Sequence, residues 1–323
     1  MEQQMTRREA IKVLGAAAGT AMLGSTLVST GCKPQASTDA TDTAKTDKID
    51  KPEENHKYDT KRLIFFFTGT GNCLYVAKQL LDVDHIVSIP RVIHQDELKF
   101  EAEEIGMVFP VYGHMPPNMV REFIQKAKLS CRYFFSVLTY GKRKCNVVET
   151  WDQICKQAGY TSNYIATLLM VDNWLPMFDM DEERKLDKNT AQNLAKIQAD
   201  IEANKNEIEA VTDEERREHE EFLKGACPTF ASDGIHALAE NWFTVTDKCV
   251  SCSICTRLCP RNNYKVEIEK AVPSGECELC FACIHGCPHK AIVVTAGEKN
   301  PNARYRHPKI RLSEIQSSNQ QRQ

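Results

Sequence analysis

Eight cysteines arranged as two copies of one pattern constrain the C-terminal part of this 323-residue chain more than anything else in it. The first copy runs Cys249-Val-Ser-Cys252-Ser-Ile-Cys255-Thr-Arg-Leu-Cys259-Pro260, and the second runs Cys277-Glu-Leu-Cys280-Phe-Ala-Cys283-Ile-His-Gly-Cys287-Pro288. Three cysteines at successive three-residue steps can wrap one iron–sulfur cubane, while the fourth, turned away at a Cys-Pro step, reaches the other cubane. One [4Fe-4S] cluster then takes Cys249, Cys252, Cys255 and Cys287, and the other takes Cys277, Cys280, Cys283 and Cys259. Zinc is the competing metal, but structural zinc sites use separated pairs of cysteines or histidines, not two quartets ending in Cys-Pro. Val250, Ile254, Leu258, Leu279, Phe281 and Ile284 would keep water from the sulfurs, and most would be core in any compact domain.

The repeat resembles the bacterial two-cluster ferredoxin pattern, with Ala291-Ile292-Val293-Val294 as the strand that closes that small fold. The resemblance implies an α+β ferredoxin domain over residues 240–297 and a tail at 298–323. Composition bounds the remainder. Lys and Arg number 41 against 44 Asp and Glu, a formal charge of −3, so nothing global recruits nucleic acid or an anionic surface. With 42% hydrophobic and 26% charged residues, and no run near the roughly 20 apolar residues that span a bilayer, a multi-pass membrane protein is excluded. Fourteen cysteines in a chain this long point to metal or redox chemistry before a disulfide scaffold. Cys73, Cys131, Cys145, Cys155 and Cys227 have no regular spacing and read as buried or incidental thiols.

A second signal lies upstream. The apolar run Leu63-Ile64-Phe65-Phe66-Phe67 ends at Thr68-Gly69-Thr70-Gly71-Asn72-Cys73, so a buried strand feeds a glycine-rich loop. Leu74, Val76, Ala77, Leu80 and Leu81 then recur at helical spacing, so the loop opens a helix whose free N–H groups and dipole favour a phosphate. Thr-Gly-Thr-Gly-Asn straight after the first strand resembles the phosphate loop of flavodoxins, which implies bound flavin mononucleotide (FMN). Cys73 stands where that family usually has Thr or Ser, a weak thiol donor in place of a hydroxyl.

Further strands read at 85–89, 105–109, 133–138 and 165–171, with helices near 117–127 and 147–157, which makes a doubly wound parallel sheet. Ligands of such sheets sit beyond the carboxyl ends of the strands. Pro110-Val111-Tyr112-Gly113 and Thr139-Tyr140-Gly141 follow the third and fourth strands, and the flavodoxin resemblance implies that Tyr112 and Tyr140 approach the flavin ring. Asn173-Trp174 is a weaker candidate of the same kind. Against the flavin stands an emptied fold that keeps its glycines for tight turns alone.

Residues 60–175 therefore read as a flavodoxin-like domain and 176–239 as a charged helical insertion and linker. From Asp179 to Glu221 there are 15 acidic and 7 basic side chains, and Leu194, Ile197, Ile201, Ile208 and Val211 keep heptad spacing with Asn204 at the skipped position. One long helix packed by a narrow seam is expected. At the other end, Thr6-Arg7-Arg8 ahead of an apolar stretch from Val13 to Val28 resembles a twin-arginine export signal over residues 1–31. Leu27-Val28-Ser29-Thr30-Gly31-Cys32 resembles a bacterial lipoprotein acylation box, which implies peripheral membrane attachment through a lipidated Cys32 on the periplasmic or cell-surface side. Residues 32–59 are polar and read as a disordered tether.

The order of these parts resembles the bacterial flavodoxin–ferredoxin fusion proteins over roughly residues 60–297. It implies an exported electron carrier between two [4Fe-4S] clusters and FMN, working with redox partner proteins. A flavin wired to clusters would convert between one- and two-electron partners. Two readings of other classes stay open. A flavin-dependent reductase of a small molecule would show an open cavity beside Tyr112, His114 and Trp174. A ferredoxin with a cofactor-free docking domain would show the phosphate loop closed by Cys73 and its neighbours. The sequence carries no Ser-His-Asp arrangement, paired carboxylates or Walker loop, so no catalytic residue is assigned.

Overall fold

The computed structural model describes residues 57–80, 85–225 and 229–321. The expected export signal, Cys32, residues 32–56 of the expected tether and Cys227 lie outside the described residues.

Alternation of apolar strands with amphipathic helices yields β1 (Arg62–Phe66), α1 (Asn72–Leu80), β2 (Ile86–Ser88), β3 (Glu104–Pro110), α2 (Asn118–Lys126), β4 (Tyr133–Tyr140), α3 (Val147–Gln157) and β5 (Tyr164–Leu169). The strands are parallel in the order β2-β1-β3-β4-β5, a flavodoxin-like or Rossmann-type core. Helices cover both faces, which is why β3 and β4 read as nearly unbroken apolar runs. Phe65, Phe109, Phe135 and Trp151 are fully buried between the layers. The Trp151 indole donates to Ser136 Oγ at 2.8 Å, so this buried polar group is satisfied. Strand order reverses between β1 and β3, and the glycine loop leaves β1 at that switch point.

Residues 176–239 depart from the single long helix expected. Leu194, Ile197 and Ile201 do form the buried stripe of α4 (Thr190–Glu202), but the helix stops there. Asn204 adopts a left-handed φ of 48°, which asparagine tolerates better than most residues, and the chain turns. β6 (Glu207–Ile208) then pairs parallel with Tyr164 and Ile165, adding a sixth strand to the sheet edge, and Ile208 is 37% exposed. A second helix, α5 (Asp213–Gly225), starts at a capping box. Thr212 Oγ1 accepts from Glu215 N at 3.2 Å, and Glu215 Oε2 accepts from Thr212 N at 2.8 Å.

The cysteine-rich part is built from two similar halves. Strand β7 (Phe243–Val245) leads to α6 (Ile254–Leu258) and β8 (Tyr264–Glu267); β9 (Lys270–Pro273) leads to α7 (Ala282–Gly286) and β10 (Ile292–Val294). β7 pairs antiparallel with β10, and β8 with β9. From residue 295 the chain runs without regular structure across the carboxyl edge of the large sheet and ends in α8 (Leu312–Asn319).

Gly106, in the middle of β3, is where the fully buried Phe135 ring sits: an added Cβ would lie 2.3 Å from its Cζ. Gly106→Ala therefore overpacks the core and is expected to cost about 1–3 kcal/mol, read as a lowered midpoint in urea unfolding followed by tryptophan fluorescence.

Candidate functional site

The two cysteine motifs adopt the same backbone. Ser251, Ser253, Leu279 and Phe281, the residues on either side of the second cysteine in each motif, all take left-handed φ values between 51° and 58°. Such alternation curls the chain so that successive N–H groups and side chains converge on one point. Asn262 and Lys290, three residues after each Cys-Pro cysteine, are left-handed as well. Asn263 N then donates to Cys259 Sγ and Ala291 N to Cys287 Sγ, each at 3.3 Å.

Two cavities result. One is lined by Cys249, Cys252, Cys255 and Cys287, and the other by Cys259, Cys277, Cys280 and Cys283. Each lining set combines three cysteines of one motif with the Cys-Pro cysteine of the other. No three His, Cys, Asp or Glu groups among the described residues converge on a point that would hold a single ion. The first cavity reaches the surface at the exposed Cys252, whereas Cys259, Cys280 and Cys283 of the second are buried. Further donors face the sulfurs: Ala271 N to Cys249 at 3.5 Å, Leu279 N to Cys277 at 3.3 Å and the Tyr264 hydroxyl to Cys283 at 3.4 Å. Burial, then neighbouring thiols, pushes the Cys277 and Cys280 thiols well up. A bound cation reverses that balance and deprotonates a coordinating thiol. Four cysteines lining each cavity, with N–H donors beside their sulfurs, are the donor set that a four-iron cluster would need.

The second cavity abuts the large sheet. Glu278 is buried and its Oε1 accepts from Met119 N at 3.0 Å, in the first turn of α2, where a carboxylate suits the helix dipole. Arg261 donates to the same oxygen at 2.7 Å and to Glu122 Oε2 at 3.2 Å. His285 Nε2 donates to Asn173 O at 3.0 Å while its Nδ1 accepts from Tyr305 N at 3.0 Å. Phe281 stacks on Trp174 with ring centroids 4.8 Å apart.

These contacts change the expected flavin site. Thr68, Gly69, Thr70, Gly71, Asn72 and Cys73 do form a loop opening α1, but all six are buried. The Cys280 carbonyl would lie 2.3 Å from a Cβ at Gly69, and Ile310 Cβ would lie 3.1 Å from one at Gly71. Thr70 Oγ1 accepts from Asn173 Nδ2 at 2.7 Å, Thr70 O accepts from His307 N at 2.9 Å, and Asn72 Oδ1 accepts from the Tyr305 hydroxyl at 2.8 Å. Cys73 turns from the loop to Thr139 Oγ1, 3.2 Å away, and burial pushes its thiol up to about 12.

The other two loops are similarly occupied. Pro110 and Val111 are half-buried beside Tyr112, whose hydroxyl would lie 3.0 Å from a Cβ at Gly69, and a Cβ at Gly113 would meet the Phe230 ring at 2.3 Å. Tyr140 is hydrogen-bonded to Thr167, away from the glycine loop, and a Cβ at Gly141 would meet Asp172 at 2.3 Å. The residues in this arrangement do not fit FMN. The space that the flavodoxin resemblance assigns to a nucleotide is taken by Cys280, Phe230 and the segment 303–310.

Sequence reasoning passed over one cluster. His114 and Cys145, in the loops after β3 and β4, both have positive φ, 66° and 49°. Cys145 Sγ lies 3.5 Å from His114 Nε2 and 3.7 Å from Glu218 Oε2, and the His114 and His219 ring centroids are 5.8 Å apart. Burial, with Arg143 and His219 nearby, lowers the His114 pKa from 6.5 to about 3, and burial lowers that of His219. The unfolded chain takes up these protons near 6.5 and the folded one does not, so the stability present above pH 6.5 is lost as pH falls from there towards about 3. His114→Phe is expected to flatten the fall of Tm between about pH 7 and about pH 5.5.

No family model and no curated protein matches this chain. Among solved structures it is similar to one from Bacteroides uniformis, named a "Putative flavoprotein", at 14% identity over 34% of this chain and 92% of that one, with a TM-score of 0.26.

Proposed function

We propose that the chain is an electron-transfer protein carrying two [4Fe-4S] clusters, one on Cys249, Cys252, Cys255 and Cys287 and one on Cys259, Cys277, Cys280 and Cys283, with the α/β body serving as a docking platform. The observation that carries this reading is the pair of cavities, each lined by three cysteines of one motif and the Cys-Pro cysteine of the other. When bound, such clusters accept and release one electron at a time.

The chain's own residues would then tune and route that transfer. Backbone N–H groups of Asn263, Leu279, Ala271 and Ala291 stabilise negative charge on the sulfurs, and the Tyr264 hydroxyl adds a donor beside Cys283. The exposed Cys252 with Val250, 57% exposed, marks the side from which a redox partner protein would exchange electrons with the first cluster. The buried second position, wedged against Gly69 and Trp174, would be insulated from solvent. Export by a twin-arginine route, with attachment through Cys32, belongs to the same reading, because folded, cofactor-loaded cargo suits that route.

Anaerobic reconstitution with iron and sulfide tests the reading: about eight irons per chain are expected, and zinc or no metal would overturn it. The crossed ligation makes a sharper forecast. Cys287→Ser, although in the second motif, should remove the surface cluster and leave about four irons, while Cys252 becomes readily alkylated and Cys280 stays protected. Tyr264→Phe should keep both clusters and lower the potential of the buried one alone, measured by redox titration followed by electron paramagnetic resonance.

A further inference from the structure

We infer that the loop Thr68–Cys73 is a socket for the chain's own C-terminal segment, residues 303–310, and that this strap, not a flavin nucleotide, is its resident occupant. The inference rests on the platform reading above and goes beyond it by naming what the loop holds.

Three kinds of observation converge on the strap. The first is fit. Tyr305, His307 and Ile310 are each no more than 8% exposed, although the segment has no regular structure of its own to bury them. Gly71 has φ +99°, and Ile310 and His307 pack within 3.3 Å of where its Cβ would be. The His307 ring stacks on Tyr75 of α1, centroids 4.1 Å apart at 21°. Lys309 Nζ lies 5.5 Å from the centre of the same tyrosine ring.

The second is polarity. A phosphate carries only acceptors near neutral pH, so a phosphate loop must present donors to it. Towards the strap this loop presents two acceptors instead: Thr70 O takes the His307 N–H and Asn72 Oδ1 takes the Tyr305 hydroxyl, at 2.9 and 2.8 Å. Each complements a donor that the strap supplies, and each would face the lone pairs of a phosphate oxygen.

The third is anchorage beyond the loop. After Ile310 the chain continues as α8, where Glu314 pairs with Lys78 of α1 and Ser318 O accepts from Ser88 Oγ. It then returns to the first cysteine motif: Asn319 Nδ2 donates to Leu258 O at 3.0 Å and Gln321 Nε2 to Pro260 O at 2.6 Å, on either side of Cys259. The strap thus leaves the cysteine-rich part, seats in the loop, runs along α1 and ends on the residues flanking the crossing ligand of the buried cavity. A flavin in the loop would have to displace Tyr305, His307 and Ile310 from a segment that is anchored on both sides.

The test uses the full chain, reconstituted with iron and sulfide, incubated with excess FMN and separated by gel filtration. Bound flavin is counted by fluorescence, and hydrogen exchange is followed in the peptides covering 68–75 and 303–311. Less than about one flavin per ten chains and slow exchange in both peptides are expected. Ile310→Asp, which puts a charge into the socket, should speed exchange at least about tenfold in both peptides together; Tyr305→Phe, a milder change, should do so less and in the same two places. About one FMN per chain in the unaltered protein would overturn the inference, as would rapid exchange of 303–311 or variants that loosen one peptide without the other. Iron separates this from the cluster reading. Full iron with bound flavin sinks the socket alone, and absent iron with flavin still excluded sinks the clusters alone.

Discussion

The architecture depends on one close approach: the Cys280 carbonyl stands where a side chain at Gly69 would begin. Only glycine lets the cysteine-rich loop come that near to the first strand–helix turn of the sheet, and the surrounding contacts take their positions from it. Phe281, the next residue, lies flat on Trp174; Glu278, two residues earlier, reaches the first turn of α2; His285, one turn later, bridges Asn173 and Tyr305. The seam combines an aromatic stack with a few hydrogen-bonded polar groups. Uncompensated buried carboxylates and imidazoles are costly, so each polar contact also fixes the register of the two parts. Burial raises the pKa of Glu278 and lowers that of His285 to about 4, which suits neutral or paired groups in such a setting.

Much of the α/β body was legible because its signals are local. Strand runs bounded by glycine and proline, and helices with period near 3.6, place β1, β3, β4 and α3 to within a residue or two of the structure. The misread stretch was 190–225. Heptad spacing from Leu194 to Val211 implied one helix, yet Asn204 sat at the skipped position and Thr212-Asp-Glu-Glu215 announced a new helix start. Apolar periodicity outvoted two explicit punctuation marks that a capping-first reading would have honoured.

The candidate site divides along the same line. Cysteine spacing is a constraint within a dozen residues, and the four-and-four grouping it implies can be compared directly with the residues lining the two cavities. The fate of the glycine loop could not be read this way. Its occupant lies in a stretch that reads as a tail, because Tyr305, His307 and Ile310 follow no helical or strand period, and their contacts with Asn72, Thr70 and Gly71 join residues more than two hundred positions apart. A phosphate-loop sequence records the turn and the helix start. It does not record which way the carbonyl of Thr70 will be used.

The separation in sequence between socket and strap also has a temporal side. Residues 68–73 and every strand of the large sheet leave the ribosome before residue 303 is made. At about 5–20 residues per second, the 95 residues between Ile208 in the last strand of the sheet and residue 303 give the body roughly 5 to 20 seconds in which to fold with its loop still vacant. During that interval the partly made chain is a different molecule from the finished one, with an open turn at the head of α1. Synthesis of residues 305–310 supplies the groups that close it.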